Sequence, residues 1–272
     1  MVQVNQEYFI WEITLGNNIT ISNLKIINGY SHNSGGSISG LEYNLINVTF
    51  ENNFAVYGGG ALTGSFLNIA NCTFINNTAE EGGAVSAAVV KMENCTFDRN
   101  YAPMGAALKL YLPSSIKNTV FKNSHNITRS LILGEMYSIL ELENCVFLNS
   151  TSKYATAVFL EMPLVAKNCI FKDLHSTQSA GAIGLKSPFE VVIENCTFIN
   201  TTAGKNGGAM FLDMIGGYGF MPGNVSITNT TFINAYGNYG GAVVLLGGDL
   251  NMENTSFISN RAYMVLQHYL PL

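Results

Sequence analysis

Charge is scarce in this chain. Only 11% of its 272 residues are Asp, Glu, Lys or Arg, against about 25% in ordinary globular domains. The hydrophobic share is a normal 47%, so the shortfall is not the mark of disorder, which combines high charge with little apolar content. Asn, Thr, Ser and Gly fill the gap, and they suit stacked backbone layers, where like charges in register would repel. A net charge of −5 supplies no basic patch and argues against nucleic-acid binding. Long apolar runs are missing as well. Glu135 interrupts the nearest candidate, residues 131–140, so a membrane-spanning helix, which needs about 18 apolar residues, is not expected. The opening residues 1–7 lack the basic start and apolar core of a signal peptide, and the chain is expected to be a fragment of a longer exported protein. No Cys-x-x-Cys or His-spaced metal pattern occurs, and no metal or cofactor is expected.

What the chain does have is a repeat. Asparagine stands three residues before phenylalanine in Asn47/Phe50, Asn71/Phe74, Asn94/Phe97, Asn118/Phe121, Asn144/Phe147, Asn168/Phe171, Asn195/Phe198, Asn229/Phe232 and Asn254/Phe257, about every 24 residues. Asn23/Ile26 is a further register with isoleucine in the aromatic slot. A period of this length across nearly the whole chain indicates a solenoid. Around each phenylalanine the residues alternate, as in Asn71-Cys72-Thr73-Phe74-Ile75-Asn76. This reads as a strand with the residues two before and two after phenylalanine on its own face. A Gly/Ala turn follows, as in Gly59-Gly60-Ala61-Leu62 and Gly207-Gly208-Ala209-Met210, where glycine permits positive φ and close approach of layers. A third alternating stretch, such as Val89-Val90-Lys91-Met92-Glu93, leads back to the next asparagine.

Paired-helix repeats need longer units with fewer glycines, and the spacing of leucine-rich repeats is absent. The expected fold is therefore all-β: a right-handed parallel β-helix of about ten coils of about 24 residues, three short strands each. It forms one domain over residues 1–272, with residues 1–18 a partial first coil or cap and residues 261–272 a partial last coil.

The pairing of Gly-Gly-Ala with Phe-x-x-Asn resembles the repeats of polymorphic outer-membrane proteins and the adhesin-like surface proteins of gut methanogenic archaea. Runs like residues 71–84 carry the likeness, which spans about residues 19–260. Strict Phe-x-x-Asn holds at Phe50/Asn53, Phe74/Asn77, Phe97/Asn100 and Phe257/Asn260. Elsewhere Ser124, Ser150, Leu174, Thr201 and Ala235 take the fourth place, and Arg129-Ser130-Leu131 and Ala155-Thr156-Ala157 replace the double glycine. The resemblance implies a pectin-lyase-like β-helix displayed extracellularly on a cell surface, with glycans or other cells as partners.

Several ladders follow from the stacking. Cys72, Cys95, Cys145, Cys169 and Cys196 all fall two before phenylalanine. Thiols one layer apart sit about 4.8 Å from each other, too far for a disulfide, so they read as free, buried core residues. Asn52, Asn76, Asn123, Asn149, Asn200 and Asn234, two after phenylalanine, read as amides stacked along an inner turn. Sequons such as Asn47-Val48-Thr49 arise from the repeat and signal glycosylation weakly. Glu93, Lys117, Glu143, Lys167 and Glu194 precede the motif asparagine on successive coils. Glu143 and Glu194 would lie about 9–10 Å apart, near the upper limit for an inverting glycosidase pair. The lysine between them makes the row an ion-pair ladder with no free general acid.

His125 and His175 share a slot with Thr151 between them, and aspartate occurs only at Asp98, Asp173, Asp213 and Asp249, so neither a zinc site nor a pectate-lyase or polygalacturonase constellation assembles. No catalytic residue is expected. The coil between Phe198 and Phe232 is the long one, and its surplus maps to residues 213–223. Tyr218 and Phe220 in that glycine-rich stretch are the candidate ligand-binding residues, since loops on a rigid solenoid commonly carry recognition. The C-terminal run 263–272 is apolar and uncharged apart from His268 and offers no cap. End-to-end self-association of the isolated chain is therefore expected.

Overall fold

The computed structural model describes residues 11–13, 18–135, 139–161, 163–186, 189–215 and 223–264. Among these residues every regular element is a β-strand, and every named strand pairing is parallel. The chain winds as a β-solenoid of about ten turns of about 24 residues, as the repeat predicts. Each coil has three faces. The first carries phenylalanine, as in Thr73–Ile75 and Val120–Lys122. The second follows the Gly/Ala turn, as in Leu108–Leu110. The third leads to the next asparagine, as in Ser114–Lys117. Second and third faces form one 18-stranded sheet, because Leu62–Ala70 and Val85–Glu93 run unbroken through the bend between them.

Phenylalanine sets the register. Phe74 pairs with Phe50 and Phe97, and Phe198 with Phe171 and Phe232. Consecutive rings from Phe50 to Phe257 stack with centroids 4.6–5.0 Å apart and planes within 5–14°. That separation is the strand spacing itself. Every ring is buried except Phe257, which is 48% exposed in the last described coil. Aliphatic residues of the other two faces, such as Leu142, Ile183 and Leu212, close the core around this column.

The motif asparagine has a job that its spacing alone does not disclose. Asn23, Asn47, Asn71, Asn94, Asn118, Asn144, Asn168, Asn195, Asn229 and Asn254 all have φ of 49–56°. They turn the chain from the third face to the first in the left-handed region, which asparagine tolerates better than other residues with a Cβ. A second corner follows the first face, at Asn28, Asn52, Asn76, Arg99, Asn123, Asn149, Asp173, Asn200, Asn234 and Ser259, with φ of 42–57°. This corrects the alternation read from sequence. The residue two after phenylalanine does not continue the inward face, because its left-handed backbone turns the side chain outward, even where the strand runs on through it as in Val146–Ser152. Asn52, Asn76 and Asn149 are exposed, and their amides form an outer ladder: Asn76 donates to Asn52 at 2.7 Å and Asn149 to Asn123 at 2.9 Å. Asn195→Ala is expected to cost about 1–2 kcal/mol through left-handed strain, and Asn195→Gly to recover most of it. Equal denaturation midpoints for the two variants would contradict this role.

The inner ladder lies one residue further on. Asn53, Asn77 and Asn100 are buried, with Asn53 Nδ2 donating to Asn77 Oδ1 at 2.8 Å and Asn77 Nδ2 to Asn100 Oδ1 at 3.0 Å. Where the motif lapses, the ladder fails. Thr201 pairs with Leu174 and is followed on the next coil by Ala235, and its Oγ1 is the single buried side-chain polar atom without a partner among the described residues. Thr201→Val removes that orphan while keeping its shape and is expected to stabilise the fold by about 1 kcal/mol. A lowered melting temperature would refute the assignment.

The double glycine meets both demands expected of it. Gly59, Gly82, Gly207 and Gly240 have positive φ. A Cβ on the next glycine, at Gly60 or Gly208, would overlap the carbonyl oxygen of Gly83 or Gly241 in the following coil. In the middle coils hydroxyls take over, with Ser130 Oγ donating to the Ile132 carbonyl at 2.7 Å and Thr156 Oγ1 to that of His175 at 3.0 Å.

Candidate functional site

The cysteine column is buried and unpaired at all five positions. The slot is more than apolar filling. Each thiol donates to the carbonyl two residues earlier, as Cys72 to Ala70 at 3.2 Å and Cys196 to Glu194 at 3.3 Å. It also accepts from the coil before, as from Val48 N–H to Cys72 Sγ at 3.4 Å. Thr119 and Thr230 occupy the same slot and do the same with Oγ1. The slot therefore takes small side chains, mostly ones that both donate and accept at the asparagine corner, although Val48 fills it in one coil without doing either. The neighbouring Cys72 thiol and burial push the Cys95 thiol well above its usual range, and the flanking Cys145 and Cys196 thiols with burial do the same to Cys169. Thiolate is the reactive form. Hydrogen bonds with Cys95 and Cys169 pull the Cys72, Cys145 and Cys196 thiols the other way. It is therefore the burial of all five that should make the native protein resist a thiol reagent at neutral pH, with five reactive thiols released in denaturant. Rapid labelling of the folded chain would contradict this.

The charge ladder assembles as its spacing predicts. Glu93 pairs in register with Lys117, Lys117 with Glu143, Glu143 with Lys167 and Lys167 with Glu194. Lys117 Nζ lies 2.7 Å from Glu143, and Lys167 Nζ 2.8 Å from Glu194. These partners hold both lysines above the ordinary value. The pairing favours the folded chain below the usual lysine range and fades as pH climbs through the raised value. Being exposed, it is weak and salt-screened.

His125 and His175 bond threonines of the next coil rather than each other, at 3.5 Å to Thr151 and 2.7 Å to Thr202. Asp98 receives Asn123 Nδ2 at 2.9 Å and lies 3.8 Å from Lys122, while Asp173 receives Asn200 Nδ2 at 2.8 Å. Among the described residues no group of three His, Cys, Asp or Glu converges to hold a metal. Tyr218 and Phe220 lie outside the described residues.

Two features escape the sequence reading. Lys109 is the only buried charged side chain among the described residues, 2% exposed, and forms an ion pair with Glu135. Its Nζ sits 5.5 Å from the Tyr111 ring centre, and Tyr111 in turn donates to Glu81 at 3.2 Å. Burial pushes the Tyr111 hydroxyl up. A Leu-Lys-Leu strand reads as one exposed residue between two buried ones, and nothing in its alternation signals a buried lysine.

The second feature is where the irregular connections fall. In the coils after Val85–Glu93 the strand breaks at the bend between second and third faces, between Leu110 and Ser114, Gly134 and Leu140, Leu160 and Leu164, Lys186 and Glu190, and Asp213 and Asn224. The described strand ends on either side of these connections, Asp213 and Asn224 of the long one included, all fall at this one bend. A shallow groove of about 250 Å³ borders that bend, lined by Glu190, Val192, Asn224, Ser226, Asp249 and Leu250 among others. A larger cavity of about 450 Å³, lined by Val243, Leu245, Met252 and Phe257, is the core itself seen from the last described coil. Among the described residues no helix is long and apolar enough to cross a membrane. No family model, no curated protein and no solved structure matches the chain.

Proposed function

We infer that this chain is a non-catalytic segment of an extracellular, adhesin-like cell-surface protein, a stiff stalk that presents a binding face to glycans or other cells. One observation carries the reading: a regular parallel stack in which the unequal gaps between second- and third-face strands, from Leu110/Ser114 to Asp213/Asn224, recur at the same bend. In solenoids, insertions between repeats commonly form the recognition surface. The pectin-lyase-like and outer-membrane-repeat character suggested by the sequence belongs to the same reading, as does end-to-end association through the half-exposed Phe257.

The enzymatic rival would be a polysaccharide lyase or hydrolase using Glu143 and Glu194. Against it, Lys167 stands between the two and engages Glu194 at 2.8 Å. A glycan array probed with the intact chain, together with assays of polysaccharide turnover, separates the readings. Binding without turnover supports the adhesin. Binding to no glycan and no cell would leave only a spacer. Turnover abolished by Glu143→Gln or Glu194→Gln would replace the proposal with the enzyme.

A further inference from the structure

We propose that the bend between second and third faces is a binding strip for an extended, non-acidic glycan lying along the rod; this deepens the glycan-binding reading above and rests on it. Parallel register puts one residue per coil in line along the bend. Phe66 pairs with Val89. Pro113 takes the same position on the next coil, two residues before the paired Ser115. Ile139 and Pro163 follow, their carbonyls accepting from Ser114 N–H at 2.8 Å and Leu140 N–H at 3.2 Å. Phe66 is 51% exposed and Ile139 38%. Pro113 is also exposed, and Val89 and Pro163 are half-buried. On these five coils the residue at this position is therefore apolar and at least partly exposed.

The next three coils change its chemistry. Glu190, Asn224 and Asp249 stand in register and exposed at the same position, beside the groove that Val192 and Leu250 help to line. From Phe66 to Asp249 the row spans about 34 Å at 4.8 Å per layer, which suits a chain rather than a single sugar. Extended glycans present apolar C–H faces that lie on aromatic and aliphatic side chains. Their hydroxyl or amino groups donate to carboxylate and amide oxygens, strongly so to carboxylates. Charge selects among them. The charged residues of the row are Glu42 at its start and Glu190 and Asp249 at its end, with no lysine or arginine between. A polyuronate would meet like charge, while a neutral or aminated chain would not.

Affinity electrophoresis of the whole chain tests this, in gels containing an aminated glucan, a neutral β-glucan, a mannan or polygalacturonate. The expected result is retardation by a non-acidic polymer and none by polygalacturonate. Phe66→Ser and the double variant Glu190→Gln/Asp249→Asn should each weaken retention about tenfold or more, with unchanged circular dichroism. Retention by a non-acidic glycan that neither variant disturbs would overturn the strip and leave the glycan-binding reading standing. Retention by polygalacturonate alone would likewise overturn the strip. No retention by any polymer would overturn both.

Discussion

Phe147→Ala is expected to lower the free energy of unfolding by about 3–5 kcal/mol, the usual cost of removing a large buried aromatic side chain. Phe147 is fully buried in mid-stack, with Phe121 at 4.9 Å and Phe171 at 5.0 Å between ring centres. Alanine loses the transfer energy of the ring and opens a cavity that strands fixed at the layer spacing cannot collapse to fill. It also removes two stacking contacts at once, because this ring touches the coil on either side. In a solenoid, stability is a sum of repeat and nearest-neighbour terms, so a break here separates two half-stacks. Phe257→Ala supplies the contrast. Among the described residues that ring stacks on Phe232 alone, and it is 48% exposed, so its loss should cost less than half as much. Urea titration of both variants against the parent checks the ratio, and equal losses would contradict the column as the main determinant of register.

Gly208→Ala should be nearly as damaging for a different reason. An added Cβ would overlap the Gly241 carbonyl oxygen and lie 2.5 Å from the backbone nitrogen of Tyr236. These are backbone atoms of the next coil, held by the hydrogen bond from Gly208 N–H to the Gly240 carbonyl at 3.1 Å. Relief requires spreading two layers apart, with an expected cost of about 3 kcal/mol. Gly58→Ala is the control. Its Cβ would meet nothing closer than Ser86 Oγ at 3.4 Å, and the variant should stay within about 1 kcal/mol of the parent. A Gly208→Ala protein as stable as Gly58→Ala would show that the corner is looser than described.

The parts of this architecture legible in the sequence are those that recur at fixed spacing and depend on side-chain type. Phenylalanine, cysteine and the Glu/Lys row each keep one slot, and parallel stacking turns one slot into one column. Asn76 shows where alternation fails, because counting by twos assumes a strand that does not turn. The clue was the asparagine itself, since a residue that tolerates φ near +55° recurring at the same two places suggests corners rather than strand interior. Lys109 was illegible for another reason. Its partners, Glu135 and the Tyr111 ring, come together only in the folded coils, and no periodicity encodes that. The binding strip combines residues unlike in type, Phe66, Ile139, Pro163 and Glu190, which share only a position at the bend. They become a row once register is known, and a search for repeated residue types passes over them.

The stacking itself can be measured with spin labels, one pair at a time. Glu93, Glu194 and Glu253 occupy one slot of the third face, linked through register pairs at Lys117, Glu143, Lys167 and Thr228. Introducing Glu93→Cys with Glu194→Cys, or Glu93→Cys with Glu253→Cys, places labels four or six layers apart on accessible sites, Glu93 and Glu253 exposed and Glu194 half-buried, while the native thiols stay buried. Dipolar spectroscopy should return backbone separations of about 19 Å and about 29 Å, rising by 4.8 Å per coil. Separations that do not grow with the number of intervening coils would contradict a column of parallel turns.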